Sequence, residues 1–223
     1  MRLSIVLPVL DAAKTLQATL ASLGTDDDIV LADGGSRDAS AIDASASAPG
    51  VRLVVAPRGR GSQLRAGADA AAGDWLLFVH ADTRLSAGWR RAVADFAANP
   101  ANADKAGYFE LAFDSQDRRA ARIARLANWR ARVFGLPYGD QGLMIGRAFY
   151  QKLGGYKPIP LMEDVDLVRR IGKRNLVRLA VTATTSAVRY ERDGYAARPL
   201  KNLACLALYF LGVSPQTILR FYR

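Results

Sequence analysis

Several things are scarce in these 223 residues, and each scarcity excludes something. Cys205 is the only cysteine, so no disulfide can form within the chain. That usage points to an intracellular, cytoplasmic protein or one indifferent to redox state. His80 is the only histidine, which rules out a cysteine–histidine metal cage. Any metal must be held mainly through oxygen, the donor set of magnesium or manganese. No apolar run approaches the ~20 residues of a spanning helix. The longest is Leu203 to Val213, and the apolar start, Leu3 to Leu10, stops at Asp11 and reads as a buried strand rather than a signal peptide. Aromatic residues make up 9% and do not interleave with basic ones, so nucleic acid is not an expected partner.

What is abundant is apolar residue and positive charge. Half the residues are hydrophobic, enough for a sizeable core. The formal net charge of +10 favours anionic partners such as phosphorylated small molecules or acidic lipid. The basic residues are scattered, so a solvated basic surface is the plain alternative.

Through the first hundred residues, short apolar β-branched runs alternate with helical spacing. Strands are expected at Leu3–Leu7, Ile29–Ala32, Val51–Ala56 and Trp75–Val79. Helices are expected from Ala12 to Leu23, after Ser36 as a cap, from Gly59 to near Gly73, and from Ser86 to Ala98. This rhythm implies a parallel sheet with crossover helices. In such sheets ligands bind at the carboxyl ends of the strands, so Asp11, Asp33, Arg60 and Asp82 should share one rim. The second half is less regular. Strands are expected at Gly107–Phe113, Leu143–Ile145 and Val177–Ala183, and a strongly basic helix over Arg118–Phe134. Two C-terminal helices should break at Gly212–Pro215. We expect one domain, 1–223, with a nucleotide-binding half (1–100), an acceptor and catalytic half (101–195) and C-terminal helices (196–223).

Four groups of residues carry candidate chemistry. Asp82, in His80-Ala81-Asp82 after the fourth strand, can hold a divalent cation on a diphosphate; its plain alternative is a turn cap. A lone histidine is more often a satisfied structural group than a ligand, and that is the reading for His80, with contact to metal or phosphate as its alternative. Asp33-Gly34-Gly35-Ser36 permits close approach of a ligand, with Asp33 accepting from a base or ribose, or is an ordinary Asp-Gly turn. Gly59-Arg60-Gly61-Ser62-Gln63 begins a helix and, with Arg60, could bind phosphate. It matches neither the dinucleotide fingerprint nor the P-loop. Glu163-Asp164 opens a helix, where acids are often dipole partners but can also supply a general base. Two adjacent carboxylates repel, which raises the pKa of one of them.

The sequence resembles the family 2 glycosyltransferases of the GT-A fold. The resemblance is carried by Ser4-Ile5-Val6-Leu7-Pro8-Val9-Leu10-Asp11, Asp33-Gly34-Gly35-Ser36-Arg37-Asp38, His80-Ala81-Asp82, and Gly154-Gly155-Tyr156 through Glu163-Asp164-Val165-Asp166-Leu167, in that order. It covers roughly residues 2 to 175. More narrowly, Gly139-Asp140-Gln141-Gly142, Pro160-Leu161-Met162-Glu163-Asp164 and Leu211-Gly212-Val213-Ser214-Pro215 resemble a small bacterial subgroup associated with radical-SAM and arsenosugar gene neighbourhoods.

The resemblance implies an α/β, Rossmann-like fold, with a mixed, mostly parallel sheet and helices on both faces. It implies an inverting hexosyl- or hexosaminyltransferase that takes a UDP- or GDP-sugar and uses Mn2+ or Mg2+. Pro8, Val9, Leu10, Asp11 and Asp33 would line the nucleotide, with Arg60 near its phosphates. Asp82 would hold the metal. Asp164 would be the catalytic base, with Glu163 its alternate, and His80, Asp140 and Gln141 would touch sugar or acceptor. Leu10 stands where the family often has an aromatic, Ala12 replaces a common glutamate, and His80 replaces the first acid of Asp-x-Asp.

Two other functions compete. A sugar-phosphate nucleotidyltransferase would use a similar sheet but needs a glycine-rich start after its first strand, which Pro8-Val9-Leu10-Asp11 lacks. A non-catalytic binder would use the basic surface for anions or lipid. Leu203, Leu206, Ala207, Phe210 and Leu211 form an apolar stripe near Arg198 and Lys201. Such a stripe is usually core; its alternatives are peripheral contact with the inner membrane and a homodimer interface.

Overall fold

The computed structural model describes residues 1–24, 27–47 and 50–222; Arg223, the last residue of the expected C-terminal helices, lies outside the described residues. Four parallel strands build the first half: β1 (Leu3–Val9), β2 (Asp28–Asp33), β3 (Val51–Val55) and β4 (Trp75–Phe78). Strands covered on both faces read as continuous apolar runs rather than alternating ones, and β1 does: Ile5, Leu7 and Val9 face one core and Val6 the other. Helices α1 (Leu16–Leu23) and α2 (Ser40–Ser47) pack on the first face, and α3 (Arg60–Ala70) on the second. Each leucine-sized side chain taken from water contributes about 1.5–3 kcal/mol.

The rest of the chain extends the same sheet. Its strands are β5 (Thr83–Leu85), β6 (Ala106–Phe113), β7 (Leu143–Gly146) and β8 (Leu176–Thr185). The spatial order is β3-β2-β1-β4-β7-β6-β8-β5. β7 runs antiparallel to β4 and β6 antiparallel to β7; β8 is parallel to β6, and β5 antiparallel to β8. The sheet is thus mixed, and mostly parallel, as expected. Its helices are α4 (Trp89–Ala98), α5 (Arg118–Phe134), α6 (Arg147–Lys152), α7 (Glu163–Ile171), α8 (Val188–Asp193), α9 (Ala197–Phe210) and α10 (Pro215–Tyr222). Among the described residues no helix is long and apolar enough to cross a membrane.

Three local expectations are corrected. The helix expected from Ser86 begins at Trp89, because Ser86 is tied to β8: its N–H donates to Thr182 O at 2.9 Å and its hydroxyl accepts the Thr182 N–H at 3.1 Å. The helix expected from Ala12 begins at Leu16. Ser36 does not cap α2, which starts four residues later. β5 and α8 are too short to carry a period in the sequence and were not expected.

Candidate active site

The order of strands turns between β1 and β4, the place where open α/β sheets bind ligands at their carboxyl ends. Polar residues from those ends form two neighbouring groups.

The first group joins β1 to β2. Asp33 accepts the Gly35 and Ser36 N–H groups at 3.2 and 3.1 Å and the Ser36 hydroxyl. Ser36 Oγ in turn accepts the Asp11 N–H at 3.0 Å, and the Asp11 carboxylate accepts the Arg37 N–H at 2.7 Å. Asp38 supplies the start of α2 instead of Ser36, accepting the Ser40 N–H at 3.3 Å and the Ser40 hydroxyl. Beneath this rim lies Gln63, buried, whose Nε2 donates to Val9 O at 2.6 Å and Ala32 O at 2.9 Å. Val9 turns its side chain into the core and brings only its carbonyl to the rim. Pro8 is half-buried, and Leu10 and Asp11 are exposed there.

The second group is a cleft with about 830 Å³ of open space, lined by Arg60, His80, Asp82, Asp140, Glu163 and Asp164. Asp82 arrives just after β4. Its Oδ1 accepts the Thr185 hydroxyl of β8 at 3.3 Å. Glu163 and Asp164 open α7, and Met162 before them sits at φ 64°, a left-handed conformation rare outside glycine, so the chain enters the helix through a sharp turn. Asp164 is fixed at both oxygens: Oδ2 accepts the Gly139 N–H at 2.8 Å and Oδ1 the Val165 N–H at 2.7 Å. Glu163 is 1% exposed and lies 3.3 Å from Arg60 Nη1. The two residues sit 103 positions apart in the chain. Arg60 therefore joins the acidic cleft rather than the Asp11–Asp33 rim.

Burial sets the charges here. It pushes the Glu163 carboxyl well above the usual carboxylate range, a rise that Arg60 opposes and Asp164 reinforces. It pushes Asp140 up to about 6, again against the Arg130 charge and with that of Asp164. The Asp140 Oδ1 atom is buried and makes no protein hydrogen bond. Burial drives His80 down to about 3, with Arg60 helping and Asp164 opposing, so the imidazole is neutral at any ordinary pH. Gln141 turns away from the cleft. It is fully buried, donating to Phe109 O at 3.2 Å and Asn128 Oδ1 at 3.1 Å.

Among the described residues no three His, Cys, Asp or Glu side chains are grouped to cage a metal ion. Magnesium and manganese sites of the substrate-assisted kind need only one or two carboxylates, the rest coming from phosphates and water. Asp82 fits that pattern, because it lines the cleft and Thr185 bonds only one of its carboxylate oxygens. The sequence reading missed Thr185, Arg189, Tyr190, Arg198 and Tyr222, which also line the cleft. No motif marks them; the tail reaches the cleft only through its packing.

The profile of glycosyl transferase family 2 matches residues 4–151, about two thirds of the chain. The protein belongs to glycosyl transferase family 2. Curated relatives include PGL/p-HBAD biosynthesis glycosyltransferases of Mycobacterium bovis and Mycobacterium tuberculosis, 38% identical over 91 residues, 37% of this chain and 36% of theirs. The match thus spans about a third of the length of those relatives. Solved structures share the fold. S. aureus TarS 1–349 superposes with TM-score 0.63 at 15% identity, over 84% of this family 2 chain and 61% of that one. Glucosyl-3-phosphoglycerate synthase from Mycobacterium tuberculosis, solved with Mn2+, UDP and glucosyl-3-phosphoglycerate, gives 0.56 at 19% identity over 83% and 70%. GalNAc-T7, solved with UDP, GalNAc and Mn2+, gives 0.64 at 15% over 83% and 44%. The fold is that of the GT-A glycosyltransferases, as the motifs implied.

Proposed function

We propose that this chain transfers a glycosyl group, with inversion, from a UDP- or GDP-sugar to an acceptor hydroxyl in the cleft between β4 and α7. The observation that carries the reading is that Asp82 and the Glu163–Asp164 pair, far apart in sequence, line one cleft beside Arg60. Mn2+-bound UDP in two neighbours of the same fold supports a nucleotide donor and a divalent ion. Bound at Asp82 on the diphosphate, such an ion would supply positive charge to the leaving phosphate oxygens.

The protein's own groups have distinct tasks in this reading. The rim at Pro8 through Asp11 and Asp33 receives the nucleoside, in the half formed by residues 1–100. Asp164, held by two backbone N–H groups, takes the proton of the acceptor hydroxyl as it attacks from the side opposite the leaving group. Glu163 holds Arg60 toward the diphosphate and is the alternate base. Neutral His80 and Asp140 contact the sugar or acceptor by hydrogen bonds, while Gln141 holds the 139–141 turn that presents the Gly139 N–H to Asp164. The narrower subgroup likeness rests on Gly139–Gly142, Pro160–Asp164 and Leu211–Pro215, of which the first two meet at that hydrogen bond.

The test is a thermal-shift screen of UDP and GDP with and without Mn2+ or Mg2+, followed by release of nucleoside diphosphate from the matching sugar nucleotide. Chelation should abolish turnover, and either ion should restore it. Asp82→Asn should lose the metal-dependent shift. Asp164→Asn should keep the shift and lose turnover by about 10²–10⁴-fold, the span of a general base. Wild-type turnover in both variants would remove the assignment.

A further inference from the structure

Helix α5 inverts the pattern of a helix that merely covers a sheet. All four of its buried residues are alanines: Ala120, Ala124, Ala127 and Ala131. Ile123 is half-buried, but Leu126, Trp129 and Val133 point to solvent, respectively 65%, 50% and 41% exposed. Together with exposed Arg122 they are spaced four, three and four residues apart, which is one stripe along a helix. Phe134, also exposed, meets Trp129 edge to face at 5.3 Å and lengthens the ridge. Exposed Arg118, Arg125 and Arg132 run beside it, and the helix contains no acidic residue.

An ordinary surface helix puts its large apolar residues inward. Here the inward face is alanine, with Asn128 bonded to the Leu111 backbone of β6, and most of the apolar surface stays outside. A ridge of Leu, Trp, Val and Phe inside a border of guanidinium groups matches a particular solvent boundary. The apolar side chains enter the acyl edge of a bilayer, Trp sits at headgroup depth, and arginines pair with lipid phosphate while their stems lie along the ridge. A second copy of the chain matches it poorly. A symmetric contact would set arginines against arginines with no acid on the helix to pair them.

We propose that this outer face of α5 docks the protein on an anionic lipid surface. The proposal does not rest on the transfer chemistry. It does bear on where the cleft sits, because α5 also supplies Arg130, whose guanidinium lies 3.4 Å from the ring centre of Tyr138, and Tyr138 lines the cleft. Docking through α5 would bring the cleft wall near the headgroups.

The full chain can be floated with vesicles of phosphatidylglycerol and phosphatidylcholine in equal parts, and with phosphatidylcholine alone. Binding is expected to the mixed vesicles only, to weaken as salt is added, and to shift the emission of Trp129 to the blue. Trp129→Phe should keep binding and lose the shift, since Trp89 is buried and Trp75 half-buried. Arg122→Gln with Arg125→Gln should lower the partition coefficient on the order of tenfold or more, as should Leu126→Glu with Val133→Glu. Both pairs should melt like the wild type and keep its stabilisation by nucleoside diphosphate, which separates this proposal from the reading of the cleft. Leu203→Glu on α9 should change little. Equal binding to neutral vesicles, wild-type binding by both double variants, loss of binding only in Leu203→Glu, or a dimer in sedimentation that the α5 variants dissolve would each overturn it.

Discussion

His80 stands two residues before Asp82 and has a different character in the fold from the one its type suggests. Its pKa of 6.5 in the unfolded chain falls to about 3 in the folded one. Between those values the unfolded state binds more protons than the native state, so stability rises with pH across that window and drops as acid is added. Asp140 has the opposite sign. Its pKa rises from 3.8 to about 6, so the native state binds more protons there and stability falls as pH rises from about 4 to 6. Relative to the wild type, the denaturant midpoint of His80→Gln should therefore rise as pH is taken from 7 down to 4, and that of Asp140→Asn should fall. Parallel profiles for all three proteins would show that neither side chain is desolvated as the fold implies. The sequence favoured a structural group for His80, with a ligand contact as the alternative, but could not show its protonation, since desolvation belongs to what surrounds the ring. Burial now makes it a neutral hydrogen-bonding group, which leaves both a structural role and a ligand contact open to it and excludes a cationic one.

At the scale of elements, α3 links the two halves of the cleft by close approach. A Cβ on Gly61 would lie 2.3 Å from Lys157 O and 2.7 Å from Ile159 O, and both obstacles are backbone. Gly61→Ala should force the start of α3 away from the 157–159 segment and part Arg60 from Glu163. We expect a loss of about 1–3 kcal/mol, the usual cost of overpacking, together with reduced turnover. Urea unfolding and nucleoside diphosphate release measure the two. A variant with wild-type stability would mean that the segment yields freely. The stretch Gly59–Gln63 was legible as a special helix start, but its chemistry was not. Its glycine serves tight packing on another loop, and Gln63 cross-links the ends of β1 and β2 through their carbonyls. A second close approach occurs at Gly139, where a Cβ would meet His80 Nε2 at 2.7 Å and Asp164 Oδ2 at 3.5 Å. That glycine lets the loop before β7 touch both cleft residues.

On the scale of the molecule, the ends of the sheet and the helices packed on it bring the cleft residues together. Thr185, at the far end of β8, reaches Asp82 across 103 positions of sequence. It lies also 3.2 Å from the Thr83 hydroxyl. Thr185→Val should cost about 0.5–1.5 kcal/mol for the lost hydrogen bond, and should raise the Mn2+ concentration needed for half-maximal turnover. An unchanged metal requirement would confine Thr185 to packing. The C-terminal stripe illustrates the limit of pattern at this scale. Cys205 and Leu206 turn inward, Arg198 and Asn202 reach the cleft, and Leu203, Phe210 and Leu211 remain exposed. Neither plain core nor plain surface describes it, because α9 lends two residues to the cleft and is covered on one side only.

Local chemistry in the chain by itself determined the four parallel strands, their crossover helices and the acids at their ends. Apolar runs, turn residues and strand termini are properties of neighbours in sequence, and they suffice to put Asp11, Asp33 and Asp82 on one edge. The family followed from the order of those short stretches. Only the tertiary structure decided which of the rim residues share a cleft, that Arg60 belongs with Glu163, that Gln141 is buried, and that residues of the tail line the cleft. Those outcomes depend on contacts across a hundred positions and on burial, which the identity of a residue and its immediate neighbours do not specify.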